Sequence, residues 1–173
     1  MSMADRCGAP WPEEMPWRRW GDDFAVRDIP LHTLGHYRQR VAAGALARLP
    51  DFLLQGRERA LRRVALLKGL TGISVVEDLP GKQGVWPFIL LLMPDKTLRD
   101  KAMDSLWTSG LGVTRLFIHT LEGYPTVTPF LQPGRSYPNA EAFAARSLSI
   151  SNSPWLSDDM FNQVLARLQA ALG

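Results

Sequence analysis

The chain has 173 residues, of which 46% are hydrophobic and 21% charged, the proportions of an ordinary globular protein rather than a disordered or fibrous one. A chain of this size buries roughly 70% of the surface its unfolded form exposes, enough for one domain with a real core. Twenty basic residues, sixteen of them arginine, exceed the 17 acidic ones by only +3, which excludes strong attraction to polyanions, and the single cysteine, Cys7, excludes an internal disulfide and a thiolate metal site.

From Met1 to about Trp20, prolines at 10, 12 and 16 alternate with tryptophans at 11, 17 and 20, with no helical or alternating period. Residues 1–29 therefore read as an irregular arm and loop, and 30–173 as the folded domain. The first thirty residues hold six acids and no apolar stretch of the secretory kind, so a cytoplasmic location is expected. Tryptophans in an arm carry large apolar areas that pack on another surface, so the arm is expected either to cover an apolar face or to leave that face to a homodimer.

Pro30 suits a first helical turn, and Leu31, Leu34, Val41, Ala45 and Leu49 recur at near-helical spacing. This predicts a helix over 30–49 that Pro50 interrupts. Leu53, Ala60, Val64 and Leu67 continue the stripe towards Gly69, a candidate C-terminal cap, giving two consecutive helices or one kinked helix. Ile73 and Val75 suggest a short strand, and the run Trp86–Met93 a strand buried on both faces. Phe88–Met93 is also the longest uninterrupted apolar run, far below the ~20 residues of a membrane-spanning helix.

Pro94 and Asp95 open a helix carrying Leu98, Ala102, Met103 and Leu106, ending at Gly110, and Val113–Ile118 is the next strand. Four prolines and two glycines between Glu122 and Pro138 predict a loop or lid. A short helix over Pro138–Arg146, a strand over Leu148–Ile150 and a final helix capped by Ser157 complete the chain. In that last helix Met160, Val164, Leu168 and Leu172 stand four apart, with Asp158 and Asp159 in the turn the helix dipole favours for anions. The expected fold class is α/β: a long N-terminal helical segment, then a three- or four-stranded sheet with helices packed on it.

Three stretches, covering about residues 21–172, carry a family resemblance. The first is the tail Tyr137-Pro138-Asn139-Ala140-Glu141-Ala142-Phe143-Ala144-Ala145-Arg146-Ser147-Leu148-Ser149-Ile150, closing with Trp155-Leu156-Ser157-Asp158-Asp159. The second is the helix from Arg99 into Ser109-Gly110-Leu111-Gly112-Val113-Thr114, and the third is Gly21-Asp22-Asp23-Phe24-Ala25-Val26-Arg27-Asp28-Ile29 with the helix that follows, Leu46-Ala47-Arg48-Leu49 and Arg57. Together, in this order, they resemble the C-terminal, small-domain half of the DegT/DnrJ-type pyridoxal-phosphate sugar aminotransferases.

The resemblance implies an aminotransferase small-domain fold and an enzyme that moves an amino group from glutamate or a similar donor to a keto-sugar nucleotide in polysaccharide biosynthesis. It implies pyridoxal phosphate as cofactor, with a large-domain or homo-oligomer partner supplying most of its cradle. Asp23 takes the place of the family's cofactor-facing asparagine and Ala25 that of an arginine; an amide donates to phosphate, whereas an ionised aspartate only accepts and repels. The family's Schiff-base lysine lies upstream of this segment, while Lys68, Lys82, Lys96 and Lys101 are all downstream of it. The chain alone is therefore expected to be inactive, with a non-catalytic partner-binding module as the alternative.

Arg115 and His119 fall where the family places substrate-facing groups, and Tyr124 belongs to the same rim, so these three are the expected substrate-binding residues. The bland alternative is a strand that simply alternates its side chains. His32 and His36 have the spacing of helical metal ligands, but no third ligand follows at a useful spacing, and no metal is expected. Arg57, Arg59, Arg62 and Arg63 crowd one helix. Glu58 interrupts them and no aromatic residue flanks them for base stacking, so a solvated face, or one paired with an absent domain, is favoured over nucleic acid.

Overall fold

The computed structural model describes residues 33–116, 119–124, 127–132 and 134–173. The arm, Asp23, Ala25, Pro30 and His32 lie outside the described residues.

The first helix, α1, runs unbroken over His36–Leu67, with Pro50 inside it. Of the two expected forms, two consecutive helices or one kinked helix, the chain takes the single helix. Pro50 removes one donor from the ladder, the N–H that would reach the carbonyl of Leu46, and this half of the helix is open to water, where that carbonyl can still be solvated. The helix ends on Lys68, whose N–H reaches Val64 O at 2.9 Å, so Gly69 is not the left-handed cap. A positive φ appears instead at Gly72, in the turn that leads to the sheet.

Four strands follow: β1 (Ser74–Val75), β2 (Phe88–Leu92), β3 (Val113–Thr114) and β4 (Ser147–Ser151). Their order is β1-β2-β4-β3, with every pairing antiparallel. Register places Ile89 opposite Ile150 and Leu91 opposite Leu148, which gathers four fully buried side chains on one face of the central pair. On the other face Phe88, Leu90 and Leu92 are only partly buried and stand opposite Ser151, Ser149 and Ser147. So β2 alternates, contrary to the expected burial on both faces. A continuous apolar run does not reveal which side of the sheet is covered.

Helix α2 (Lys96–Leu106) is capped by Asp95, whose side chain accepts from Leu98 N at 2.8 Å. Helix α3 (Pro138–Arg146) starts on its proline and runs directly into β4, and α4 (Asp158–Leu172) is capped by Ser157 Oγ accepting from Met160 N at 3.2 Å. One core joins the C-terminal half of α1 (Ala60, Val64, Leu67), α2 (Ala102, Met103, Leu106) and α4 (Phe161, Val164, Leu168) to the apolar face of the sheet. Burying each of the seven larger side chains among these is worth about 1.5–3 kcal/mol, and the nine together with the four strand residues hold the domain closed.

Two polar clusters lock α1 to this body. Asn152, 4% exposed, donates through Nδ2 to Gly56 O (2.7 Å) and Trp86 O (2.9 Å), while its own carbonyl accepts from Arg59 (2.9 and 3.3 Å). Asp78 accepts from Arg57 (2.5 Å), Gly84 N (3.0 Å) and the Trp86 indole (3.4 Å). Arg63, 2% exposed, bonds Leu156 O, lies 3.5 Å from Asp158 and sits 4.9 Å over the Phe161 ring. Burial is the main influence on Arg63 and lowers its pKa, partly offset by Asp158. Three of the four clustered arginines thus turn inward to partners in this chain, which corrects the expectation of a solvated or externally paired face; only Arg62 is exposed.

Candidate functional site

β3 is two residues long, not six, because only Val113 and Thr114 pair with β4. The chain leaves the sheet at Arg115, which is 8% exposed, and returns through a 3-10 turn over Leu121–Gly123. This departure creates a cavity of about 390 Å³ between the first turns of α2, the end of β3, the 3-10 turn and α3. Its walls include Lys96, Arg99, Asp100, Arg115, His119 and Glu141.

Arg115 and His119 are thereby brought to one cavity. The ring of Tyr124 meets that of His119 edge to face, with centroids 5.5 Å apart at 74°. Gly123 permits this arrangement: a Cβ there would come within 2.6 Å of the His119 Cβ. Asp23, the fourth expected site residue, is outside the described residues. His36 lies exposed on α1, and among the described residues no group of three or more His, Cys, Asp or Glu could hold a metal.

Lys96, Arg99, Asp100 and Glu141 were not singled out from the sequence. The first and third carry a readable signal, the i,i+4 spacing of an ion pair in the opening turns of a helix. Arg99 carries none, since its acceptors Ala144 O (3.3 Å) and Ser147 O (3.4 Å) come from a segment over forty residues away. Asp100 accepts from Lys96 Nζ at 2.6 Å and Arg99 Nε at 2.7 Å. Burial opposes its ionisation, but these two bonds outweigh burial and hold its carboxyl below the usual range. With three cationic and two acidic side chains, the cavity has a surplus of one positive charge, suited to an anionic or hydroxyl-rich ligand.

A second cavity of about 420 Å³ opens where α1 leaves the body, walled by Phe52, Leu53, Val85, Trp86, Pro154 and Trp155. Its lining is mainly apolar.

The model of the DegT/DnrJ/EryC1/StrS aminotransferase family matches residues 39–169. The chain belongs to this family. Among solved structures it is similar to the aminotransferase TlmJ from Streptoalloteichus hindustanus, at 26% identity and a TM-score of 0.64 over 75% of this chain and 34% of that one. It shares the fold of DesV from S. venezuelae, solved in complex with a ketimine intermediate, at 23% identity and a TM-score of 0.65 over 75% of this chain and 34% of that one. It likewise shares the fold of a DegT DnrJ EryC1 StrS aminotransferase from Brucella abortus, at 21% identity and a TM-score of 0.60 over 72% and 32%. The chain spans about a third of the length of these DegT-family structures. No curated protein matches it. The α/β small-domain fold and the family read from the sequence both hold.

Proposed function

We propose that residues 30–173 act as the substrate-side domain of a DegT-type sugar aminotransferase, closing over a keto-sugar nucleotide while a cofactor-binding domain performs amino transfer. The observation that carries this reading is the convergence of Arg115 and His119 on one cationic cavity, with Tyr124 against the His119 ring, in a chain of this family. Arg115 would hold an anionic group of the substrate, His119 and Tyr124 would shape the sugar side, and the protein would work in the cytoplasm.

The described residues do not fit pyridoxal phosphate. A Schiff-base lysine needs a desolvated or otherwise activated amine, whereas Lys68 is 54% exposed and paired with Glu77, Lys96 is 63% exposed and paired with Asp100, and Lys82 and Lys101 are exposed. The covalent chemistry is accordingly assigned outside these residues. Titrating the purified chain with pyridoxal phosphate should give no new absorbance band and no borohydride-reducible product; one stoichiometric adduct at a single lysine would overturn this part of the reading. For the substrate side, a millimolar nucleoside-diphosphate sugar should shift the His119 ring signals in NMR spectra of the wild type but not of Arg115→Ala. Unchanged wild-type spectra would remove Arg115 and His119 from the proposal.

The exposed apolar half of α1 favours a second reading, a non-catalytic module that retains the small-domain fold to bind a partner. An in-frame cofactor-binding domain encoded immediately upstream would decide for the first reading.

A further inference from the structure

By the register of β3 on β4, Leu116 would stand opposite Ser147, and β4 extends that far. Local sequence does not stop the strand, since Arg115 and Phe117 alternating with Leu116 and Ile118 continue a β pattern. β3 nevertheless ends at Thr114, and Leu116 is 42% exposed. The reason lies on the edge of β4. Ser151 N–H meets Gly112 O at 2.8 Å on the β3 side. Backbone groups of alternate strand residues point the same way, so Ser149 and Ser147 also direct their N–H and C=O towards β3.

Both groups of Ser147 are already taken. Its N–H closes the last turn of α3 on Phe143 O, and its carbonyl accepts from Arg99 Nη1 at 3.4 Å. Arg99 is 1% exposed, and its guanidinium serves two further acceptors. It donates to Ala144 O at 3.3 Å, one of the carbonyls that the end of α3 leaves without a helical donor. Through Nε it donates to Asp100 at 2.7 Å. One planar fork of donors thus ties together α2, α3 and β4. Asp100 and Ala144 are themselves walls of the cationic cavity, as is Arg115, which is 8% exposed.

We infer that Arg99 is the positioning residue of this cavity: by filling the acceptor that Leu116 N–H would take, its guanidinium stops β3 at Thr114 and turns Arg115 into the cavity. The same side chain fixes the Asp100 carboxylate on the cavity wall. The consequence for ligand binding rests on the reading of this cavity as the substrate side, whereas the effect on the strand edge does not.

Amide exchange at Leu116, followed by NMR in the full chain, compares the wild type with Arg99→Met and Arg99→Lys. Wild-type Leu116 should exchange at close to the unprotected rate. Arg99→Met frees Ser147 O, and exchange at Leu116 should slow by about tenfold or more, the effect of a ladder bond worth about 1.4 kcal/mol. Arg99→Lys has a single ammonium head, which a carboxylate holds more strongly than a carbonyl does. It should slow Leu116 equally while the Asp100 carboxyl keeps its low titration midpoint. In Arg99→Met burial still raises that midpoint and only Lys96 remains to lower it, so it should move up. A nucleoside-diphosphate sugar that shifts the His119 signals of the wild type should no longer do so in Arg99→Met. Silence of His119 in the wild type would fail the substrate reading, and Leu116 exchange would still decide the role of Arg99. Unaltered exchange at Leu116 in both variants would overturn the inference. So would loss of folding in both by circular dichroism, which would make Arg99 a support of the whole domain rather than of the cavity edge.

Discussion

At the scale of single residues, Asn152 and Asp78 do most to decide how α1 meets the sheet. Asn152 satisfies two buried carbonyls from separate segments, Gly56 on α1 and Trp86 ahead of β2. Asn152→Ala should therefore destabilise the domain by about 1–3 kcal/mol, the cost of leaving buried acceptors unmet, measured by urea unfolding. The hydrogen bond from Arg57 holds the Asp78 carboxyl below its ordinary range against a smaller desolvation cost, with Gly84 N–H and the Trp86 indole assisting. A carboxylate whose pKa is depressed on folding contributes stability that is fully present above its unfolded value, about 3.9. That contribution disappears as pH falls through the lower folded value. Unfolding followed from pH 6 down to pH 2 should therefore show a steeper loss of stability in the wild type than in Asp78→Asn; parallel curves would contradict the assignment. In the cationic cavity, Gly123→Ala should displace His119 without unfolding the domain, visible as a changed His119 environment by NMR with little change in melting temperature.

At the scale of elements, the helices that end the chain were legible because their signals are local. Pro138 starts α3, Ser157 caps α4 and Asp158 and Asp159 follow it, as the sequence predicts. Ser157→Ala should cost about 1 kcal/mol, checked by the shift of the urea midpoint at unchanged slope. What the sequence hides is set by distant partners. β3 stops after two residues because the chain turns away from β4 at Arg115, although β4 continues to Ser147, and Arg59 and Arg63 turn inward because Asn152 and Leu156, roughly ninety residues on, present carbonyls to them. Of the candidate cavity, Arg115 and His119 were readable by position in the family pattern, whereas Arg99 reaches it only through tertiary packing. Pro50 alone does not decide between a helix boundary and a helix that runs through it; here both flanks keep helical geometry. Restoring the missing donor with Pro50→Ala should stabilise this stretch by up to about 3 kcal/mol, detectable as increased ellipticity at 222 nm on heating.

For the molecule as a whole, stability resides in one core below the midpoint of α1. Leu148→Ala, at a fully buried position facing Leu91, should cost about 2–5 kcal/mol. An equivalent truncation at exposed Tyr37 should change global stability by no more than about 0.5 kcal/mol. The same asymmetry makes α1 a lever. Its anchored half is clamped by Asn152, Arg63 and Asp78, and its free half projects from Gly56 to Tyr37, about 28 Å at 1.5 Å per residue. A tilt of about five degrees at the clamp would sweep Tyr37 through about 2.4 Å over that arm. Small rearrangements beside Trp86 are thus magnified at the helix tip, and anything seated on that tip can in turn strain the clamp.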